Sequence, residues 1–290
     1  MNPRPLWVKI GHASLLLLAA VYCLFPIYFM LVQALKTPQE DVFGNPFFVA
    51  NPTLENFEEL FERKSEVRGF VGDALRRPFP FLDWLANTLF VFAGSVAVTL
   101  VVSVAAAYAL GRLQPPGFRW WRRTIFATYV IPQTILFVPL FQVVHGLGLD
   151  DNLLALLLIY PSMALPFCIW MLSAYFQHMP REIEEAALIE GASRATAFLR
   201  IMLPMSRPVV VAAGIFTLGI VASDFMIASV FLLTPVNQTI TAGLGTFDVA
   251  LDELAGVAGV NLMAIPVVAI SAVFARGYVR GLTAAMVEGA

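Results

Sequence analysis

The sequence predicts an all-α integral membrane protein with six transmembrane helices, and three observations carry that prediction. Of its 290 residues, 59% are hydrophobic and only 13% are charged, about half the roughly 25% charged fraction of an ordinary soluble domain. Mean hydropathy is +0.78. Six long intervals carry no Asp, Glu, Lys or Arg apart from Asp224, and each holds the ~20 apolar residues that a membrane crossing needs. This composition excludes a disordered chain and a secreted disulfide scaffold. A net charge of −2 supplies no basic field for nucleic acid. Cys23 and Cys168 both lie inside apolar runs and read as small hydrophobes rather than a disulfide or metal pair.

Taken in order, the intervals place spans at about 13–35, 85–110, 125–146, 153–176, 208–233 and 256–275, in a single domain over 1–290. The first is too long for a signal-peptide core, so it reads as an uncleaved helix although Val32-Gln33-Ala34 loosely fits a cleavage site. Twelve of the 18 basic residues fall on one side of such a bundle, which by the positive-inside rule places both termini in the cytoplasm. The external loop 36–83 holds the other six bases and nine acids. Its Asn45-Pro46 and Asn51-Pro52 turns, and the acidic, aromatic stretch Asn56–Phe61, predict short helices on the outer face. Residues 234–257, rich in Gly, Thr and Asp, predict a second outer excursion that partly re-enters. Pro132, Pro139, Pro161, Pro166 and Pro266 interrupt the spans and predict kinks.

Known chemistries are missing. Lys36-Thr37 and Lys64-Ser65 lack the glycine that a phosphate-binding loop requires before the lysine, and Lys9 precedes Ile10. His12, His145 and His178 have no metal-ligand spacing. No G-x-S-x-G elbow occurs. The sequence points to a chain without catalytic residues, cofactor or metal of its own.

The most informative segment is the cytoplasmic loop 179–207. Pro180 suits a first helical turn, and Glu182, Glu184 and Glu185 favour a helix N-terminus. Gly191 supplies a left-handed stop. Ser193 can cap a second helix running to Leu203, where Pro204 stops it. Ala186 and Ala187 form a smooth patch beside Ile183 and Leu188. From these residues alone, an amphipathic loop covering the helix ends and a docking element fit equally well.

The pattern Glu185-Ala186-Ala187, three residues, Gly191, nine residues, Ile201, one residue, Leu203-Pro204 resembles the EAA loop of binding-protein-dependent ABC importer permeases. Thr53-Leu54-Glu55-Asn56-Phe57, Ala106–Arg112, Pro132-Gln133, Pro139-Leu140 and Arg280-Gly281-Leu282-Thr283 resemble elements of the maltose and carbohydrate branch of that family. The chain departs from the branch at Ala222-Ser223-Asp224-Phe225, where Trp-Asn-Asp-Phe is usual. It departs again at Glu288-Gly289-Ala290, where a lysine is usual, and in a longer segment around 62–77.

The resemblance implies a type I ABC importer permease fold in the inner or plasma membrane, and a pore for a carbohydrate or related solute. It also implies partners: a second, related and non-identical permease chain, two ATPase subunits that carry ATP and magnesium, and an extracytoplasmic solute-binding protein. Glu185, Ala186, Ala187, Gly191, Ile201, Leu203 and Pro204 would then face the ATPase, with Glu185 orienting the docking helix.

Asp224 is the one acid inside a span. A carboxylate there costs roughly 2.5–3.5 kcal/mol on insertion scales, so it needs a cavity or a partner. Lining the translocation path and stabilising a kink fit it equally. Ser223, Asn87 and Gln133 are further candidates for a polar path, though such side chains also join helices. An ion-coupled secondary transporter is the rival of another class, and a permease for a non-sugar solute is the rival within the family.

Overall fold

The computed structural model describes residues 6–61, 80–246, 254–269 and 272. Helix is the only regular secondary structure among them. The chain divides into two compact units, Met1–Leu82 with Thr246–Ala264, and Asp83–Gly245 with Ile265–Ala290.

In the first unit, α1 (Leu6–Ala34) is followed by two short helices, α2 (Pro38–Phe43) and α3 (Glu55–Phe61). Thr37 caps α2 by accepting from the Glu40 amide at 3.3 Å. The Thr53–Phe57 element closes the end of α1, where helix carbonyls lack internal partners. The buried Asn56 amide donates to the carbonyls of Ala34 (2.9 Å) and Lys36 (2.8 Å). The Thr53 amide donates to Leu35 O at 2.9 Å, and the Thr53 hydroxyl accepts from the Glu55 amide at 3.1 Å. The helix Leu254–Ala269, named α14 below, joins α1 through Asn261, whose amide donates to Met30 O at 3.1 Å. The segment 62–77 lies outside the described residues.

The second unit is built around α7 (Leu153–His178), buried along most of its length. Asn152 caps it by accepting from the Leu154 amide at 2.9 Å. Against it pack α4 (Phe81–Tyr108), which continues through a π-turn over Ala109–Leu113, then α5 (Phe118–Tyr129), α6 (Gln133–Gly146) and α11 (Arg207–Ser223). Val104, Ala107, Ala164, Cys168, Leu172, Phe176, Met202 and Ala213 form a continuous buried core near one end of these helices. Cys168 is a free thiol in that core.

Three described helices are each long and apolar enough to cross a membrane: Ile10–Ala34, Phe81–Leu113 and Leu153–His178. Two of the other expected spans are broken helices. The 125–146 interval breaks between α5 and α6 at Val130–Pro132, and its first helix begins at Phe118, taking in Arg119, Arg122 and Arg123. The 208–233 interval breaks at Asp224-Phe225 between α11 and α12 (Met226–Phe231). The sixth is described as α14, Leu254–Ala269.

Of the prolines expected to interrupt helices, only Pro132 stands at a break. Pro139, Pro161 and Pro166 lie inside α6 and α7, and Pro266 inside α14. A single proline removes one hydrogen bond, and in an apolar surround the remaining backbone pairs hold the helix together.

The 232–240 turn at the far end of α11–α12 is heavily pinned. Asp151, itself at φ +52°, accepts from the amides of Leu233 (2.8 Å) and Thr234 (3.0 Å). Trp84 donates to Pro235 O at 2.6 Å, and the Thr88 hydroxyl accepts from the Ile240 amide at 2.9 Å. Burial works to raise the Asp151 pKa, but the Thr234 hydroxyl and amide and the Leu233 amide outweigh it and hold it below the usual carboxylate range. The chain then turns inward as α13 (Ile240–Thr246), where Ile240 and Ala242 are fully buried. A Cβ on Gly243 would overlap the Trp84 indole, and one on Gly245 the Phe225 ring.

Candidate functional site

The 179–207 segment is a helix pair. Pro180 stands at the N-cap of α8 (Arg181–Ile189), and Glu182 and Glu184 lie in its first turn, where the macrodipole favours negative charge. Its end is a Schellman turn. Gly191 takes φ +87° and donates to Leu188 O at 3.0 Å, while the Ala192 amide reaches back to Ala187 O at 3.0 Å. The Ser193 hydroxyl then caps α9 (Arg194–Ala197) by accepting from the Thr196 amide at 3.1 Å.

The second helix does not stop at Leu203. It widens through a π-turn, Phe198–Met202, and runs on as α10 (Leu203–Met205). The Leu203 amide bonds back to Phe198 O, and this looser register lets Pro204 sit inside the helix without the N–H it lacks. The buried Ser206, whose hydroxyl donates to Met202 O at 2.7 Å, marks the bend, where 194–205 meets α11 at 73°.

One buried cluster anchors the pair. Glu184 is 8% exposed, and its carboxylate accepts from the Tyr108 hydroxyl at 2.9 Å and from Arg112 Nε. The rest of the Arg112 guanidinium donates to Met179 O (2.8 Å) and Pro180 O (3.1 Å), the carbonyls at the end of α7. Tyr108 also packs on Phe198, ring centroids 4.3 Å apart, and edge-on against Phe176. A Cβ on Gly111 would overlap the Ser173 carbonyl, so glycine is what lets the π-turn lie against α7.

One arginine therefore ties together the end of α4, the end of α7 and the first turn of α8. Burial pushes the Glu184 pKa up, but the hydrogen bonds from Arg112 and Tyr108 outweigh it and hold the carboxyl below the usual glutamate range.

The residues singled out from the sequence divide by exposure. Glu185, Ala186 and Gly191 are exposed, Ala187 is buried, and Ile201, Leu203 and Pro204 are half-buried. Ile189 is 86% exposed and adds an apolar knob to the open face of α8. Glu185 was expected to orient the helix, yet the acid tied to neighbouring elements is Glu184. The local signal for its partners was the four-residue spacing of Tyr108 and Arg112, one helical turn apart; nothing local tied them to a residue more than 70 positions away.

The path candidates occupy separate settings. Asp224 caps α12: its carboxylate accepts from the amides of Ile227 (3.3 Å) and Ala228 (3.0 Å) and from the buried Tyr160 hydroxyl of α7 (2.8 Å). Ser223 is exposed beside it, with its hydroxyl on Gly219 O at 2.8 Å. The Asn87 amide is committed to the 232–240 turn, donating to Val236 O (2.8 Å) and Gln238 O (2.9 Å). Gln133 opens α6, and its side chain lies outside the described residues.

Gly191 yields a direct prediction. Nothing lies within 4 Å of a Cβ built there, so Gly191→Ala should cost only the left-handed conformation, about 1–2 kcal/mol. Gly191→Asn, which tolerates that conformation better, should cost less. Hydrogen exchange at the Leu188–Ala192 amides measures both.

The family model described as binding-protein-dependent transport system inner membrane component matches residues 99–284. An inner membrane ABC transporter permease protein of Escherichia coli is 30% identical over 97% of both chains. A sulfoquinovosyl glycerol transport system permease protein of Agrobacterium fabrum is 32% identical over 96% of this chain and 92% of the relative. A trehalose/maltose transport system permease protein of Thermococcus litoralis is 28% identical over 94% of each. A crystal structure of a bacterial ABC transporter involved in alginate import matches with a TM-score of 0.75 at 21% identity, covering 95% of this chain and 98% of that one. With the family match spanning the π-turn, α7, the anchored helix pair and α11, the chain belongs to the binding-protein-dependent inner membrane permeases of ABC importers.

Proposed function

We propose that this chain forms half of the translocation pore of an ATP-driven importer for a carbohydrate or related polyol. Its partner in the pore would be a related, non-identical permease. The family implies ATPase subunits and a binding protein as partners. In this reading two ATPases, which carry the ATP and magnesium, engage the pair of permeases, and the solute-binding protein delivers to the opposite face. Both termini and the 179–207 pair lie on the cytoplasmic side, and six spans result when the broken intervals are each counted as one crossing.

The observation that carries this reading is the division of α8 into two faces. One is locked by the buried Glu184 to Arg112 and Tyr108. The other leaves Glu185, Ala186 and Ile189 open. A partner that displaces the open face moves the locked face with it, and so the ends of α4 and α7. The helix breaks at 130–132 and at Asp224 offer places where the bundle can bend. The carbohydrate class is supported by relatives named for sulfoquinovosyl glycerol and for trehalose and maltose.

The test is uptake by proteoliposomes holding both permeases and the ATPases, with the binding protein outside. Uptake of a binding-protein-selected sugar that requires lumenal ATP supports the proposal. Uptake by this chain alone, driven by a proton or sodium gradient, overturns it in favour of the ion-coupled transporter.

A further inference from the structure

We propose that the first half of α5 binds anionic phospholipid headgroups through Arg119 and Arg123, with Trp120 and Trp121 seated at the membrane–water boundary beside them. One face of α5 is occupied. Phe126 packs on Trp170 with centroids 4.9 Å apart, Tyr129 packs on Phe167 at 5.6 Å, and Arg122 donates to Gln177 Oε1 of α7. The other face is open, with Arg119 and Arg123 exposed and Trp120 and Trp121 61% and 52% exposed. The two indoles meet edge to face at 4.8 Å.

No acidic residue lies between Asp83 and Asp150 in the sequence. Among the described residues no carboxylate pairs with Arg119 or Arg123. Four residues apart on one helix face, the two cations repel each other, and Arg119, in the first turn of α5, also opposes the macrodipole. A bound anion relieves both costs.

The depth is set by α7. The Arg122–Gln177 bond puts this part of α5 beside the last turn of a helix long and apolar enough to cross a membrane, at the level where the chain leaves the apolar core for the 179–207 pair. Tryptophan pairs with an apolar body and a polar edge concentrate at that level, and clustered basic residues there attract anionic lipid. The occupant is thus a phosphate-bearing lipid of the adjoining leaflet. The inference rests on α7 spanning the membrane and not on what the helix pair docks.

The test uses the full chain reconstituted in phosphatidylcholine vesicles. A minor lipid fraction is replaced by brominated phosphatidylglycerol or, in parallel, by brominated phosphatidylcholine, and tryptophan quenching is read. The phosphatidylglycerol should quench more strongly, and the excess should vanish in Trp120→Phe/Trp121→Phe. At the stabilisation expected per basic residue near an anionic surface, Arg119→Gln/Arg123→Gln should reduce the local lipid enrichment by up to roughly thirtyfold. Arg119→Lys/Arg123→Lys should keep most of it. Both arginines are exposed, so neither variant disturbs the packed face. Equal quenching by the two lipids, or an excess that survives in the glutamine variant, overturns the proposal, and the arginines would then belong to a protein contact.

Discussion

Replacing Arg112 with methionine is expected to loosen the 179–207 helix pair by about 3–5 kcal/mol, the usual cost of stranding one member of a buried ion pair. The arginine and Glu184 side chains are only 6% and 9% exposed. Without the guanidinium, Glu184 keeps Tyr108 as its remaining hydrogen-bond partner, and the Met179 and Pro180 carbonyls lose their donor. At 1.36 kcal/mol per factor of ten, hydrogen exchange at the α8 amides should accelerate by between about 10² and 10⁴.

Removing both charges, as Arg112→Met/Glu184→Met, should recover much of that loss, because no uncompensated ion is then left inside. The pH dependence has a fixed sign. Because the folded-state pKa of Glu184 is depressed, its contribution is fully present above the unfolded glutamate value of about 4.3 and is lost as the pH falls through the folded value. Protection of α8 should therefore be flat from neutral pH down to about 5 and fail only in stronger acid.

The second large effect is expected at Asp224. Alanine there removes the α12 cap and leaves the buried Tyr160 hydroxyl without its acceptor, together roughly 2–4 kcal/mol. Tyr160→Phe alone should cost about 1 kcal/mol, and the double variant less than the sum, since the two share one hydrogen bond. Denaturant titration in mixed micelles gives these differences. Asp224→Asn separates the two roles open to this residue. Its one side-chain oxygen can still accept from the Ala228 amide and the Tyr160 hydroxyl, which share one carboxylate oxygen, so a cap predicts a loss of only about 1 kcal/mol and uptake near the parent's. Normal stability with uptake abolished would mean that the charge itself acts on the solute.

Much of this could be read from local sequence, and the reason is physical. Gly191 and Ser193 act through bonds to residues within five positions, so their spacing alone predicts the turn and the cap. Asn56 is intermediate: its motif marks a short element after α1, but its amide works on carbonyls 20 and 22 positions back, at the end of that helix.

The Glu184–Arg112 lock lies further out of reach. Glu182, Glu184 and Glu185 look alike in sequence, and which one is buried depends on how α8 is rotated against α4. The helix breaks fall between these cases. Five prolines carry the same local signal, yet only Pro132 coincides with a break, whereas the break at Asp224 has no proline and is bonded to Tyr160, 64 positions away.

The most direct measurement of the central claim, that α8 presents its open face to the ATPase, is maleimide labelling of Ala186→Cys in a chain whose Cys23 and Cys168 are replaced by alanine. The exposed position should label readily in membranes stripped of ATPase subunits and become protected when they are restored. Equal labelling in both preparations would contradict the account.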